Sequence, residues 1–280
     1  MIGDQCETQV TEEVSGADHF KDGVRTITLS TWEEFHNAIG PYEKSGGYIW
    51  RGQRQAWPLK SSFDRFWDIY GRNRNAVLKR HLDCFRDRMK HCHPQIPLPQ
   101  DKRIVWSLGQ HYGLKSPVLD WTRSPYIAAY FAFEETPVAG DDGFRYVYGL
   151  SRSIRRLVIK WKQDGIVKSR QRSADAEDLP PDLVPLFSAQ EAAFVMTSRG
   201  ETIEETVRRW SQKRPQEVVL VKMQIPEKER ERWLDELDRM QVNYKELLLV
   251  LTDVVSQCNC ALKKYRVSAY VSEKKAWGQT

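Results

Sequence analysis

An α+β fold, a mixed central sheet flanked by helices, is predicted by three observations. Segments with apolar residues at helical spacing and segments that alternate like strands follow one another irregularly, not as a repeating βαβ series. One short apolar strand, residues 117–119, runs through a polar turn directly into a helix start at Ser124-Pro125. With 40% apolar residues in 280 and no Pro/Gly/Ser-rich linker in the middle, the chain can bury one substantial core.

The elements follow in order. Residues 1–23 are polar and aperiodic and read as a flexible N-terminal extension, with the domain proper over 24–265 and a C-terminal tail over 266–280. Residues 24–29 alternate like a strand. Thr31 with Glu34 forms a capping box for a helix carrying Trp32, Phe35 and Ile39, which Gly40-Pro41 should end. Residues 48–50 form a strand that delivers Arg51, and Gly52 permits a tight backbone path after it. A loop covers 57–66. A helix over 73–90 turns Val77, Leu78, Leu82 and Phe85 inward, and prolines 94, 97 and 99 form the next connection.

Residues 104–111 read as a helix end stopped at Gly113, with His111 in its last turn. Asp120, Trp121 and Thr122 follow the strand 117–119, and Ile127, Ala128, Tyr130 and Phe131 form an apolar stripe after Ser124. A turn at 141–143 and a strand at 144–150 come next. The basic run 152–172, with Arg152, Arg155, Arg156, Lys160, Arg170 and Arg172, is open between helix and loop. Strands at 192–197 and 217–225 bracket a helix at 203–210. Helices at 227–240 and 244–262 close the chain, the last being the most apolar.

The turn carrying Asp120, Thr122, Arg123 and Ser124 lies where a helix N-terminus could hold an anion. Arg51 suits a phosphate clamp, because its guanidinium is planar and permanently charged, but it also suits an ion pair with Asp120. His111 and Asp120 could form an acid/base pair or simply fix the turn. His81, Cys84, His91, Cys92 and His93 lack zinc-ligand spacing, so no metal is expected. Neither a P-loop nor a GxGxxG occurs. The net charge of +5 comes from 43 basic and 38 acidic residues of interspersed sign, which permits nucleic acid without requiring it. Five cysteines in no framework spacing, with no signal or membrane-spanning pattern, lead us to expect a soluble cytoplasmic protein without membrane association.

The run YIWRG, then GQHYGLKSPVLDWTRSPYIAAYFAFE, then AQEAAFVMTS, resembles the FRG domain family, over about residues 26–262. Gln110, His111, Gly113, Leu114, Leu119, Asp120, Trp121, Thr122, Ala128 and Phe131 fall on its central motif. A more distant likeness links the three-part layout to the ADP-ribosyltransferase superfamily and implies an ADP-ribosyltransferase-like fold. By that likeness Arg51 takes the arginine position, Thr122 or Ser124 the hydroxyl position and Glu191 the acidic one. The resemblance implies NAD as the nucleotide, with Glu191, Arg51 and Thr122 catalytic. The ligand would be held by Arg51, Gly52, Gln53, His111, Tyr112, Asp120, Trp121, Thr122 and Ser124. Trp50, Tyr112, Trp121 and Tyr126 would supply flat faces for the nicotinamide. The acceptor would be a protein or nucleic acid, or the product of simple NAD hydrolysis would be released. The alternative is a non-catalytic module that binds a nucleotide, another phosphate-bearing ligand or nucleic acid. Oligomeric state is left open.

Overall fold

Period-two alternation divides the central strands between two cores. In the computed structural model, which describes residues 18–44, 47–67, 73–95, 98–152, 190–196, 200–212 and 215–247, Trp50, Val147 and Val221 face one side of the sheet. Ile49, Tyr146, Tyr148, Leu150 and Leu220 face the other. The strands are β1 (Asp18–Lys21), β2 (Val24–Thr28), β3 (Tyr48–Gln53), β4 (Val118–Thr122), β5 (Phe144–Ser151), β6 (Ala192–Met196) and β7 (Leu220–Pro226). They form one seven-stranded sheet in the order β1-β2-β7-β5-β3-β4-β6. Only β2 and β7 run parallel; the other pairings are antiparallel, so the sheet is mixed and the fold is α+β.

Three helices cover the first face: α1 (Trp32–Lys44), α5 (Pro125–Phe133) and α7 (Arg230–Arg239). Their Phe35, Ile39, Ile127, Ala128, Phe133, Trp233 and Leu237 join Trp50 and Met223 in one core. α6 (Ile203–Ser211) covers the second face through Ile203, Val207 and Trp210, opened by a capping box between Thr202 and Glu205. α3 (Arg74–Cys92) and α4 (Lys102–His111) pack Leu82, Ile104, Val105 and Trp106 against Val118, Ala192 and Phe194. The short helices α2 (Ser62–Trp67) and α8 (Tyr244–Leu247) complete the described elements. No helix among the described residues is long and apolar enough to cross a membrane.

Several expectations change. The fold begins earlier than Val24, because Asp18–Lys21 pairs antiparallel with β2 through a turn at Asp22-Gly23, where both residues have positive φ. α1 continues through Gly40 and Pro41 to Lys44: the buried Ala38, Ile39 and Tyr42 extend the apolar stripe past the proline, and that burial outweighs one missing N–H. The loop expected at 57–66 contains α2, whose Asp64 is buried and paired with Arg74 at 2.5 Å. In α3 only Leu82 is fully buried, with Val77, Leu78 and Phe85 half-buried. The basic run beyond Arg152 and the apolar helix beyond Leu247 lie outside the described residues.

Candidate functional site

Strands β3 and β4 are hydrogen-bonded neighbours at a single residue pair, Trp50 with Thr122, and then part. The guanidinium of Arg51 fills the gap: its Nη1 donates to the Asp120 carbonyl at 2.6 Å, an acceptor that a continued ladder would have used. The parting opens a cavity of about 650 Å³, within the range of roughly 300–1,000 Å³ that holds small ligands. Trp50, Arg51, Gly52, Gln53, Asp120, Trp121 and Thr122 line it from the strands, Arg54, Trp57 and Arg65 from the following segment, and Phe131, Glu134 and Glu135 from the far half of α5.

Arg51 is half-buried and walled in by protein, and among the described residues its buried Nε has no hydrogen-bond partner. Desolvation holds its pKa below the ordinary arginine value, Asp120 opposes that shift and Arg65 adds to it. Solvent reaches Asp120 through the cleft although protein surrounds it, so desolvation raises its pKa against the pull of Arg51, the Gln110 amide and His111. Gln110 Nε2 donates to Asp120 Oδ2. Arg65 is exposed at the cleft, and among the described residues neither it nor Arg51 has a carboxylate within ion-pair distance. The guanidinium groups of Arg51 and Arg65 thus both line the cavity, and the charge of Asp120 acts on Arg51.

Three residues that line the cavity also hold the frame. Thr122 is buried, and its Oγ1 accepts from the Ser124 backbone N–H at 3.2 Å. Gln53 Nε2 donates to the Trp57 carbonyl at 2.9 Å, which fixes the loop after β3. At Gly52 an added Cβ would stand 1.9 Å from the Ala128 carbonyl, so glycine is required by the close approach of α5 rather than by a special turn.

The other expected residues stand apart from the lining. His111 and Tyr112 pack on each other at 5.1 Å, and Tyr112 is 73% exposed. Ser124 caps α5, accepting from the Ile127 N–H at 3.3 Å, so that helix start is closed by its own side chain; the cavity lies along the middle and C-terminal end of α5 instead. Tyr126 is hydrogen-bonded to His36 at 2.7 Å and packed on Trp32 and Phe35. Glu191 is exposed beside the cavity, with its neighbour Gln190 in the lining. Its φ of +45° is in the left-handed region, at a cost of about 1–3 kcal/mol for a non-glycine residue. Its carbonyl accepts from Arg123 N–H at 3.0 Å. The register aligns Trp50, Thr122 and Ala192 across β3, β4 and β6, so the segments carrying Arg51, Thr122 and Glu191 are adjacent. Among the described residues no three His, Cys, Asp or Glu side chains gather where a metal would need them.

Sequence reading missed Arg54, Trp57, Arg65, Glu134 and Glu135. One signal was present: two carboxylates at the C-terminal end of an apolar helix, where the macrodipole disfavours negative charge. Neither the curated proteins nor the solved structures contain a match to the chain. Residues 46–140, which supply β3, β4, α5 and nearly all of the cavity wall, match the family model for the FRG domain, and the chain carries an FRG domain over that span.

Proposed function

We propose that the cleft binds a phosphate-bearing nucleotide, with Arg51 and Arg65 taking the phosphate. The observation that carries this reading is the buried Nε of Arg51, without a hydrogen-bond partner among the described residues, in the lining of a nucleotide-sized cavity. A buried donor without an acceptor is costly, and a phosphate oxygen would satisfy it in a charge-assisted bond. Trp57 and Phe131 offer apolar surface for the rest of the ligand.

The test compares thermal shifts of wild type and Arg51→Met with ADP, ADP-ribose, NAD and short oligonucleotides. A mononucleotide or dinucleotide should raise the wild-type Tm, and Arg51→Met should weaken binding by roughly 10- to 100-fold. Without ligand, Arg51→Met sheds a desolvated charge but loses the bond to the Asp120 carbonyl, so each shift is read against that variant's own ligand-free Tm. Equal shifts in both proteins, or none in either, would reject the reading.

The adjacency of the three segments favours a second reading, in which the bound nucleotide is NAD and its ribosyl bond is cleaved, with ADP-ribose passed to a protein or nucleic-acid acceptor or to water. Arg51 would clamp the diphosphate, the Thr122 hydroxyl would position the ribose and Glu191 would stabilise the developing oxocarbenium charge. Free nicotinamide released by wild type, and lost in Arg51→Ala and Glu191→Gln, supports this chemistry. Retained turnover in Glu191→Gln removes it and leaves nucleotide binding standing.

A further inference from the structure

The cleft has two chemically distinct ends. β3 and α5 run side by side: Gly52 lies under Ala128 and Ala132, and Arg54, three residues beyond Arg51, pairs with Glu135 at 3.0 Å. Arg51, Arg65 and Asp120 therefore mark one end and Arg54, Trp57, Glu134 and Glu135 the other, the backbones of Arg51 and Arg54 being about 10 Å apart at roughly 3.3 Å per strand residue. That separation suits a phosphate at one end and a base at the other.

The far end is a rigid, open aromatic surface beside an unengaged carboxyl group. Trp57 is 43% exposed; the Arg54 guanidinium lies 5.3 Å from its ring centroid and is itself anchored by Glu135 at 3.0 Å and Asp141 at 3.6 Å. Glu134 lines the cavity, and among the described residues its side chain accepts no hydrogen bond. The groups around it are Glu135 beside it, Tyr130 on α5 and Arg230 from α7. Arg230 spends its Nη2 on the Glu134 backbone carbonyl at 2.8 Å and its Nε on the Phe133 carbonyl at 2.7 Å. Burial, and then the like charge of Glu135, push the Glu134 carboxyl up to about 7.

We propose that Glu134 reads the base of the bound nucleotide, hydrogen-bonding the edge of a purine stacked on Trp57 while the phosphate rests on Arg51. This rests on the nucleotide reading above. A protonated carboxyl offers one donor and one acceptor, the complement of adenine N1 and its 6-amino group. An ionised carboxylate offers two acceptors, the complement of guanine N1–H and its 2-amino group. The preferred purine therefore changes as Glu134 loses its proton.

The experiment measures calorimetric affinities of the full chain for AMP, GMP and ribose 5-phosphate at pH 6 and pH 8, in wild type, Glu134→Gln, Trp57→Ala and Arg51→Met. The AMP-to-GMP ratio cancels the titration of the phosphate they share. Wild type should favour AMP roughly tenfold at pH 6 and lose or reverse that preference at pH 8. Glu134→Gln should favour AMP at both, since an amide keeps one donor and one acceptor at any pH. Trp57→Ala should weaken both nucleotides and leave ribose 5-phosphate unchanged. A wild-type ratio near one at both pH values, or a Glu134→Gln ratio that tracks wild type, overturns the inference. Binding that needs Arg51 yet ignores the base sinks base reading alone. Absence of binding by all three ligands sinks the phosphate reading with it.

Discussion

Glu134 sits where electrostatics penalise a negative charge, and its elevated pKa gives stability a definite dependence on pH. The folded value of about 7 stands above the ordinary 4.5, so between those values the folded chain binds the extra proton. The group's contribution to stability therefore falls as pH rises through that window. Glu134→Gln should leave Tm near the wild-type value at pH 4 and raise it by a few degrees at pH 8, as read by thermal melts at both. An equal effect at both pH values would mean that the carboxyl is not held near neutrality. At this scale Arg51, Asp120 and Thr122 were legible as lining positions because a glycine or a Ser-Pro turn signal follows each within a few positions, while Arg65 and Trp57 were not. Those two reach the cavity only because α2 and the loop before it fold back beside β3, which no local pattern encodes.

Among the elements, α5 shows both what local rules determine and what they leave open. Its start was readable from Ser124-Pro125, a hydroxyl cap and a ring already at helical φ. Ser124→Ala should cost about 1 kcal/mol in denaturant titration, with the cleft intact. Gly52→Ala should be much worse, about 2–4 kcal/mol or outright failure to fold, because backbone rather than a movable side chain blocks the new methyl group. A Gly52→Ala protein of wild-type stability would refute the close packing of β3 and α5. The glycine signal was visible in sequence; its cause was not, since the obstructing carbonyl is 76 positions along the chain. Pro41 shows the converse, a strong local stop overridden where Ala38 and Ile39 before it and Tyr42 after it are buried.

For the molecule as a whole, Arg145 ties distant parts together at the sheet's end. It is fully buried, lies 3.4 Å from Glu227 and 4.0 Å from Asp141, and donates to the Glu135 carbonyl at 3.3 Å, joining β5 to the segments after β7 and α5. Arg145→Ala should lower unfolding free energy by about 3–5 kcal/mol, because it strands the Glu227 carboxylate, while Asp141 keeps Arg54. Arg239→Ala, which breaks an exposed pair with Glu236, should cost under about 1 kcal/mol. Comparable denaturant midpoints for the two variants would rule out the buried network as a structural tie.

The residue pattern alone determined the class of fold, the capping box that opens α1, the hydroxyl cap that opens α5 and the glycine that follows α4. These depend on neighbours within a few positions, where periodicity and turn chemistry act. Only the tertiary structure decided the strand order, the parting of β3 from β4 after one residue pair, and the placement of the cavity along the far half of α5. Those outcomes follow from how whole faces pack and from which buried polar groups find partners, and both are settled between residues tens of positions apart.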